Sequence, residues 1–160
     1  LVGNGTRALF EFPEQLAMLR ADRSLLRNAV TEMLRFDGPN QFVRRIALRD
    51  MEFATPAGPV TVPAGDVMYL SPASGNHDDT HFGPTVEVLD ITRADAGTHL
   101  QFGAGIHACL GPHLARLQAE VMFTAILDRF GEIEPAGDPV WSTRMVIRGL
   151  NQLPVRAVLR

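Results

Sequence analysis

Between Ser24 and Phe36 the apolar positions are Leu25, Leu26, Ala29, Val30, Met33 and Leu34. They pair at i, i+4 and i+8, which predicts a helix with one broad apolar face. Asp22 or Ser24 can cap its start, and Gly38-Pro39 stops it. Upstream, Pro13 suits a first helical turn, and Leu16 and Leu19 carry that helix to about Arg20. After Gln41 the period changes to two. Phe42, Ile46 and Leu48 share one strand face, and Arg45 lies on the other between Val43 and Ala47. Turns at Pro56-Ala57-Gly58 and Pro63-Ala64-Gly65 flank Val60-Thr61-Val62, and Asp66–Leu70 follows. This predicts a small antiparallel sheet. From about Ser71 to Gly103 the chain is polar and irregular, with a short helix near Ser71–Asn76. Irregular stretches of that length in a compact domain are usually functional. The last helix is expected from about Leu110 to Phe130, with Leu110, Leu114, Leu117 and Val121 on one face and Gly131 as its cap. The tail reads as a hairpin of Arg144–Arg148 and Val155–Leu159.

Composition narrows the class. The chain has 160 residues, 46% hydrophobic and 21% charged, which is globular rather than disordered. A net charge of -3 argues against a nucleic-acid partner. A single cysteine excludes an internal disulfide framework and multi-cysteine metal clusters. No apolar run is long enough to span a membrane, no membrane partner is expected, and the expected location is the cytoplasm. The chain opens Leu1-Val2-Gly3 without a Met and reads as a portion of a longer protein.

Chemistry concentrates in Phe102-Gly103-Ala104-Gly105-Ile106-His107-Ala108-Cys109-Leu110-Gly111. Gly103 and Gly105 permit close approach of a flat partner, because no Cβ intervenes. Cys109 falls just ahead of the long helix, where free N–H groups and the helix dipole favour a thiolate. His107 presents a donor beside the same object, and Gly111 allows tight packing at the helix start. An axial metal ligand beneath a large planar cofactor needs this arrangement. Three other readings stand beside it. Cys109 can be inert packing. Cys109, His107, His113 and His99 can surround a zinc ion. Cys109 and a histidine can form a nucleophile pair, although nothing supplies the third member.

The segment Phe102–Gly111 resembles the haem-binding loop of cytochromes P450, Phe-Gly-x-Gly-x-His-x-Cys-Leu-Gly, at every specified position. Leu114-Ala115-Arg116-Leu117-Gln118-Ala119-Glu120 and Asp90-Ile91-Thr92-Arg93 are similar to the flanking segments of bacterial members. The resemblance implies Cys109 as the proximal thiolate on the iron of haem b (iron protoporphyrin IX). It implies His107 and Arg45 as propionate contacts, with Arg44 the poorer fit. Phe102 would pack beneath the haem near the sulfur. Gly103, Gly105 and Gly111 would line the cofactor. Glu32 and Arg35 would be the family's structural Glu-x-x-Arg pair. By position alone that pair falls on the polar side of its helix, where most such pairs are solvated; the resemblance implies a buried pair.

The resemblance further implies a fold of mainly helices with a small antiparallel sheet, residues 1–160 forming the C-terminal part of the P450 fold. The parent reaction would be a haem-thiolate monooxygenation, inserting one oxygen atom from O2 into a small apolar organic substrate. A ferredoxin or flavoprotein would supply electrons, with Arg116 a weak candidate contact. Three departures qualify this. Gly75-Asn76-His77-Asp78-Asp79 stands where Ala-Asn-Arg-Asp-Pro is common, so no arginine is expected there to complete a Glu-Arg-Arg network, with His77 as a substitute. Pro112-His113 follows Gly111 where Ala-Pro is usual. The chain is much shorter than family members, and the oxygen-activating Ala-Gly-x-x-Thr segment would lie upstream of Leu1. The alternative function is a truncated remnant, or a haem-binding fragment without activity of its own.

Overall fold

The computed structural model describes residues 1–160. Three helices open the chain: α1 (Val2–Glu11), α2 (Pro13–Ala21) and α3 (Leu26–Asp37). Pro13 occupies the first turn of α2 as its fixed φ allows. Asp22 accepts from the Ser24 N–H at 2.9 Å and caps the 3₁₀ turn Arg23–Leu25 that leads into α3. α3 ends at Gly38, where a Cβ would fall 2.1 Å from Gln101 Cδ and 2.3 Å from the Leu34 carbonyl oxygen. Only glycine fits that contact.

The strands β1 (Val43–Ile46), β2 (Met51–Thr55), β3 (Gly58–Val62) and β4 (Val67–Leu70) follow. Two short helices come next, α4 (Pro72–Gly75) and α5 (Asp79–Phe82). The chain closes with α6 (Pro112–Arg129), β5 (Phe130–Pro135), β6 (Val140–Trp141), β7 (Leu150–Gln152) and β8 (Val155–Leu159). All strand pairing is antiparallel, in four ladders: β1 with β4, β2 with β3, β5 with β8 and β6 with β7. The fold is therefore mainly helical with small antiparallel sheets, and no helix is long and apolar enough to cross a membrane.

The core joins α1, α2, α3 and α6 to the segment after α5. Ala8, Leu9, Leu19, Val30, Met33, Leu89, Ile91, Phe123 and Leu127 are all buried there. Each large apolar side chain fully withdrawn from water contributes about 1.5–3 kcal/mol. The apolar face of α3 is as expected, but the Asp22 cap serves the 3₁₀ turn, and α3 itself starts at Leu26 after Leu25 without a side-chain cap.

Three expectations fail for tertiary reasons. The closed face of α6 is Ala119, Phe123 and Leu127, whereas Leu110, Leu114, Leu117 and Val121 are exposed. The helix has two apolar stripes, and distant partners such as Leu9, Val30 and Met33 select between them. A Cβ on Gly5 would lie 3.0 Å from Phe123 Cζ and 2.6 Å from Met33 Sδ. Gly131 is not the cap either, because Phe130 ends α6 and β5 starts there directly. The tail hairpin does not form. β8 pairs with β5, and residues 146–148 run beside residues 39–41, with Gln41 N–H on the Val146 carbonyl at 2.9 Å and Arg148 N–H on the Pro39 carbonyl at 2.7 Å. Short alternating strands carry no mark of their partner, so pairing by sequence proximity misleads here.

Candidate functional site

The loop before α6 folds back on itself. The Cys109 N–H donates to the Phe102 carbonyl at 2.8 Å, and the Gly103 N–H to the Leu100 carbonyl at 2.9 Å. Gly103 and Gly105 take φ of +66° and +64°, a region that side chains with a Cβ rarely adopt. A 3₁₀ turn at Gly105–His107 then carries the chain to Cys109, three residues ahead of the first residue of α6. The thiol is exposed, and the Gly111 N–H donates to its Sγ at 3.4 Å. Such a bond stabilises negative charge on sulfur. Ile106 and Leu110 stand fully open to solvent on either side, at 97% and 104% relative exposure.

These features fit a haem. The sulfur is a soft donor suited to iron, it is accessible, and it already holds one N–H bond. The flanking apolar side chains have no protein partner, and a flat apolar group would cover them. The zinc reading fits less well, because Cys109, His107, His113 and His99 do not gather into a ligand cluster. His107 is exposed beside the loop.

β1 places Arg45 on its half-buried side with Val43, and Arg44 on the open side with Ile46. The Arg45 guanidinium donates to the Arg44 carbonyl at 2.8 Å. The alternation read from the sequence is thus the alternation of the strand. Replacing Arg45 with Leu is expected to release haem from a loaded chain faster than replacing Arg44. The check is haem loss to an apomyoglobin acceptor; faster loss from Arg44→Leu would contradict the assignment.

Glu32 and Arg35 are wholly buried, and their contact is bidentate at 2.8 and 2.7 Å. Helix position alone suggests solvation; the polar strip of α3 is instead covered by the irregular segment, as the family resemblance implies. Arg35 also donates to the carbonyls of Asn76 and Val86, both at 2.9 Å, and of Val88 at 3.3 Å. The network does contain a second arginine, which corrects the expectation. Arg93 reaches Glu32 at 3.2 Å and donates to the carbonyls of Phe82 at 2.9 Å and Thr85 at 2.8 Å. It comes from Asp90-Ile91-Thr92-Arg93 rather than from the stretch around His77. His77 does not substitute for it. Its ring meets the Phe36 carbonyl at 2.8 Å and the Glu87 carboxylate at 3.0 Å. The signal for Arg93 was a lone arginine in a polar run, and only tertiary folding distinguishes it.

His99, which the sequence offered only as a zinc ligand, has a different place in the structure. His99 is nearly buried, its ring 5.4 Å from that of Phe102 and its Nε2 3.4 Å from an Arg116 nitrogen. Burial pushes its imidazole down to about 4, and the neighbouring guanidinium pushes the same way. A histidine with a lowered folded value is protonated first in the unfolded chain. Its contribution is therefore complete above its ordinary value and falls as pH drops toward 4. By that linkage, acidification should cost about 3 kcal/mol from this group. Urea unfolding at neutral pH and near pH 4 should show the loss in the wild type and a smaller loss in His99→Gln. Equal losses would remove His99 as the cause.

The family model "Cytochrome P450" matches residues 15–154. A putative cytochrome P450 140 of Mycobacterium tuberculosis is 41% identical over 155 residues, covering 97% of this chain and 34% of its own length. The 6-deoxyerythronolide B hydroxylase of Saccharopolyspora erythraea is 38% identical over 159 residues, covering 98% of this chain and 38% of its own length. Among solved structures, cytochrome P450 CYP109Q5 from Chondromyces apiculatus superimposes with a TM-score of 0.91 at 38% identity, over 99% of this chain and 40% of that one. The chain thus spans roughly a third to two fifths of the proteins it resembles. The glycine loop with its exposed thiol, the buried Glu32–Arg35–Arg93 network and a match over most of the length together place this chain in the cytochrome P450 family, whose cofactor is haem.

Proposed function

We propose that residues 1–160 form the C-terminal, proximal portion of a P450 monooxygenase domain, and that Cys109 is the thiolate ligand of haem b. The observation that carries this reading is the exposed Cys109 sulfur, held by the Gly111 N–H between the open side chains of Ile106 and Leu110. When bound, haem would supply the oxygen chemistry: with two electrons and two protons, one atom of O2 is inserted into an organic substrate and the other leaves as water.

The chain's own residues hold and orient the cofactor. Gly103, Gly105 and Gly111 would let the loop backbone approach the cofactor closely, and Ile106 and Leu110 would exclude water beside the sulfur once it is bound. Arg45 and His107 pair with the propionates, and Phe102 packs near the thiolate. Glu32, Arg35 and Arg93 act at a distance, fixing the segment that leads into the loop. The Gly111 N–H stabilises charge on Sγ and so moderates how strongly the sulfur donates. Electrons come from a ferredoxin or flavoprotein, and the substrate is a small apolar organic molecule. The protein works in the cytoplasm.

A second reading is favoured by the open apolar side chains Leu114, Leu117 and Val121 on α6. Taken alone, the 160-residue chain is a haem-binding segment without independent oxygenase activity. Productive chemistry needs a covered pocket that positions proton donors and excludes bulk water. The two readings are separated by supplying the haem-loaded chain with O2, a ferredoxin system and a panel of small apolar substrates. The segment alone should give at most unselective, peroxide-driven oxidation. Coupled, regioselective product from these 160 residues would show that they suffice as an enzyme.

A further inference from the structure

Phe102 is held from two directions by groups that the haem reading does not use. The His99 ring lies 5.4 Å from its centroid at 60°, and the Arg116 guanidinium carbon lies 5.0 Å from the same centroid. His99 and Arg116 also meet one another at 3.4 Å, so the three side chains form a closed cluster. Its two outer members come from different elements, the stretch before the loop and the second turn of α6. His99 is tied down by the Gln101 N–H, which donates to its Nδ1 at 3.2 Å. Gln101 is itself buried and exchanges two hydrogen bonds with the Asn40 backbone, at 2.9 and 3.2 Å. Arg116 takes part in none of the chain's ion pairs. Its charge therefore rests on an aromatic ring rather than on a carboxylate.

We propose that His99 and Arg116 are positioning residues for the Cys109 ligand, clamping Phe102 so that the loop carrying the thiolate keeps one geometry. The link is short. The Phe102 carbonyl is the acceptor of the Cys109 N–H at 2.8 Å, so turning the Phe102 residue displaces the peptide that holds Cys109. The two clamp members act differently. His99 supplies shape, as a neutral ring wedged between Gln101 and Phe102. Arg116 supplies shape and charge, because a cation over the ring stabilises electron density gathered on the sulfur side. It also favours the reduced iron, which carries one positive charge fewer.

This inference rests on the reading of Cys109 as haem ligand, and its test separates the two. The haem-loaded chain is compared with Arg116→Gln, Arg116→Lys and His99→Gln. The readouts are the iron midpoint potential and the rate at which the thiolate carbonyl band decays to the neutral-thiol form. Far-UV circular dichroism reports the fold. Arg116→Gln should lower the potential and speed the decay several-fold. Arg116→Lys should restore the potential but not the slow decay, because a lysine carries the charge without the planar stack. His99→Gln keeps an acceptor for the Gln101 N–H and should speed decay with the potential unchanged. Should Arg116→Gln fail to fold, the Arg116→Lys and His99→Gln decay rates carry the test. Folded variants with wild-type potentials and decay rates would overturn the clamp while leaving Cys109 as the ligand. A wild-type chain without any thiolate carbonyl band would overturn the ligand reading and the clamp with it.

Discussion

Replacing Glu32 with alanine is expected to leave the chain unfolded or nearly so. Glu32 is wholly buried and is the one carboxylate that both Arg35 and Arg93 meet. Its Oε1 also accepts the Asp90 N–H at 3.2 Å. Removing it strands two buried guanidiniums, and a single broken buried pair already costs about 3–5 kcal/mol. Total stabilities of domains this size are of the order of 5–15 kcal/mol, so that loss is a large fraction of the whole. Arg35→Ala should be nearly as severe, because Glu32 and the carbonyls of Asn76, Val86 and Val88 all lose a donor. The control is Glu134→Ala, which breaks the exposed Arg156–Glu134 pair and should change little. Urea unfolding of the three variants, followed by circular dichroism, decides the matter. A Glu32→Ala chain with a wild-type midpoint would mean that the network is peripheral to stability.

Replacing Cys109 with alanine should have the largest effect on the cofactor and almost none on the fold. The side chain is exposed and its only hydrogen bond is the one from the Gly111 N–H, so its loss opens no cavity and strands no buried group. The iron, by contrast, should lose the ligand proposed for it. Haem should then bind only through apolar contact with Ile106 and Leu110 and through Arg45 and His107, and it should wash off on gel filtration. Leu110→Ala should weaken retention far less. Equal retention by Cys109→Ala and the wild type, at equal circular dichroism, would take the sulfur out of the site.

Much of the site was legible because its chemistry is local. Gly103, Gly105, His107 and Cys109 lie within seven residues, so their proximity needs no tertiary contact. The Arg44/Arg45 alternation was legible for the same reason, since a strand fixes direction with period two. What was hidden depends on distant contacts. Arg93 lies 61 residues from Glu32, and nothing in Asp90-Ile91-Thr92-Arg93 marks its side chain as turned inward. The buried stripe of α6 was misjudged because Leu114, Leu117 and Val121 look as apolar as Ala119, Phe123 and Leu127, and the choice is made by distant partners such as Leu9, Val30 and Met33. His99 was legible only as a possible metal ligand, because a histidine in a polar run carries no sign of burial. Its depressed titration arises first from burial and then from the charge of Arg116, 17 residues away.

The proposed haem site depends on one bond, from Cys109 sulfur to iron. The direct measurement is the absorption spectrum of the haem-loaded chain, reduced and exposed to carbon monoxide. Wild-type protein should show the red-shifted Soret band of a thiolate-ligated carbonyl complex, and Cys109→His should move it to the position of imidazole ligation. A band that is the same in both proteins would contradict the assignment of Cys109 as the ligand.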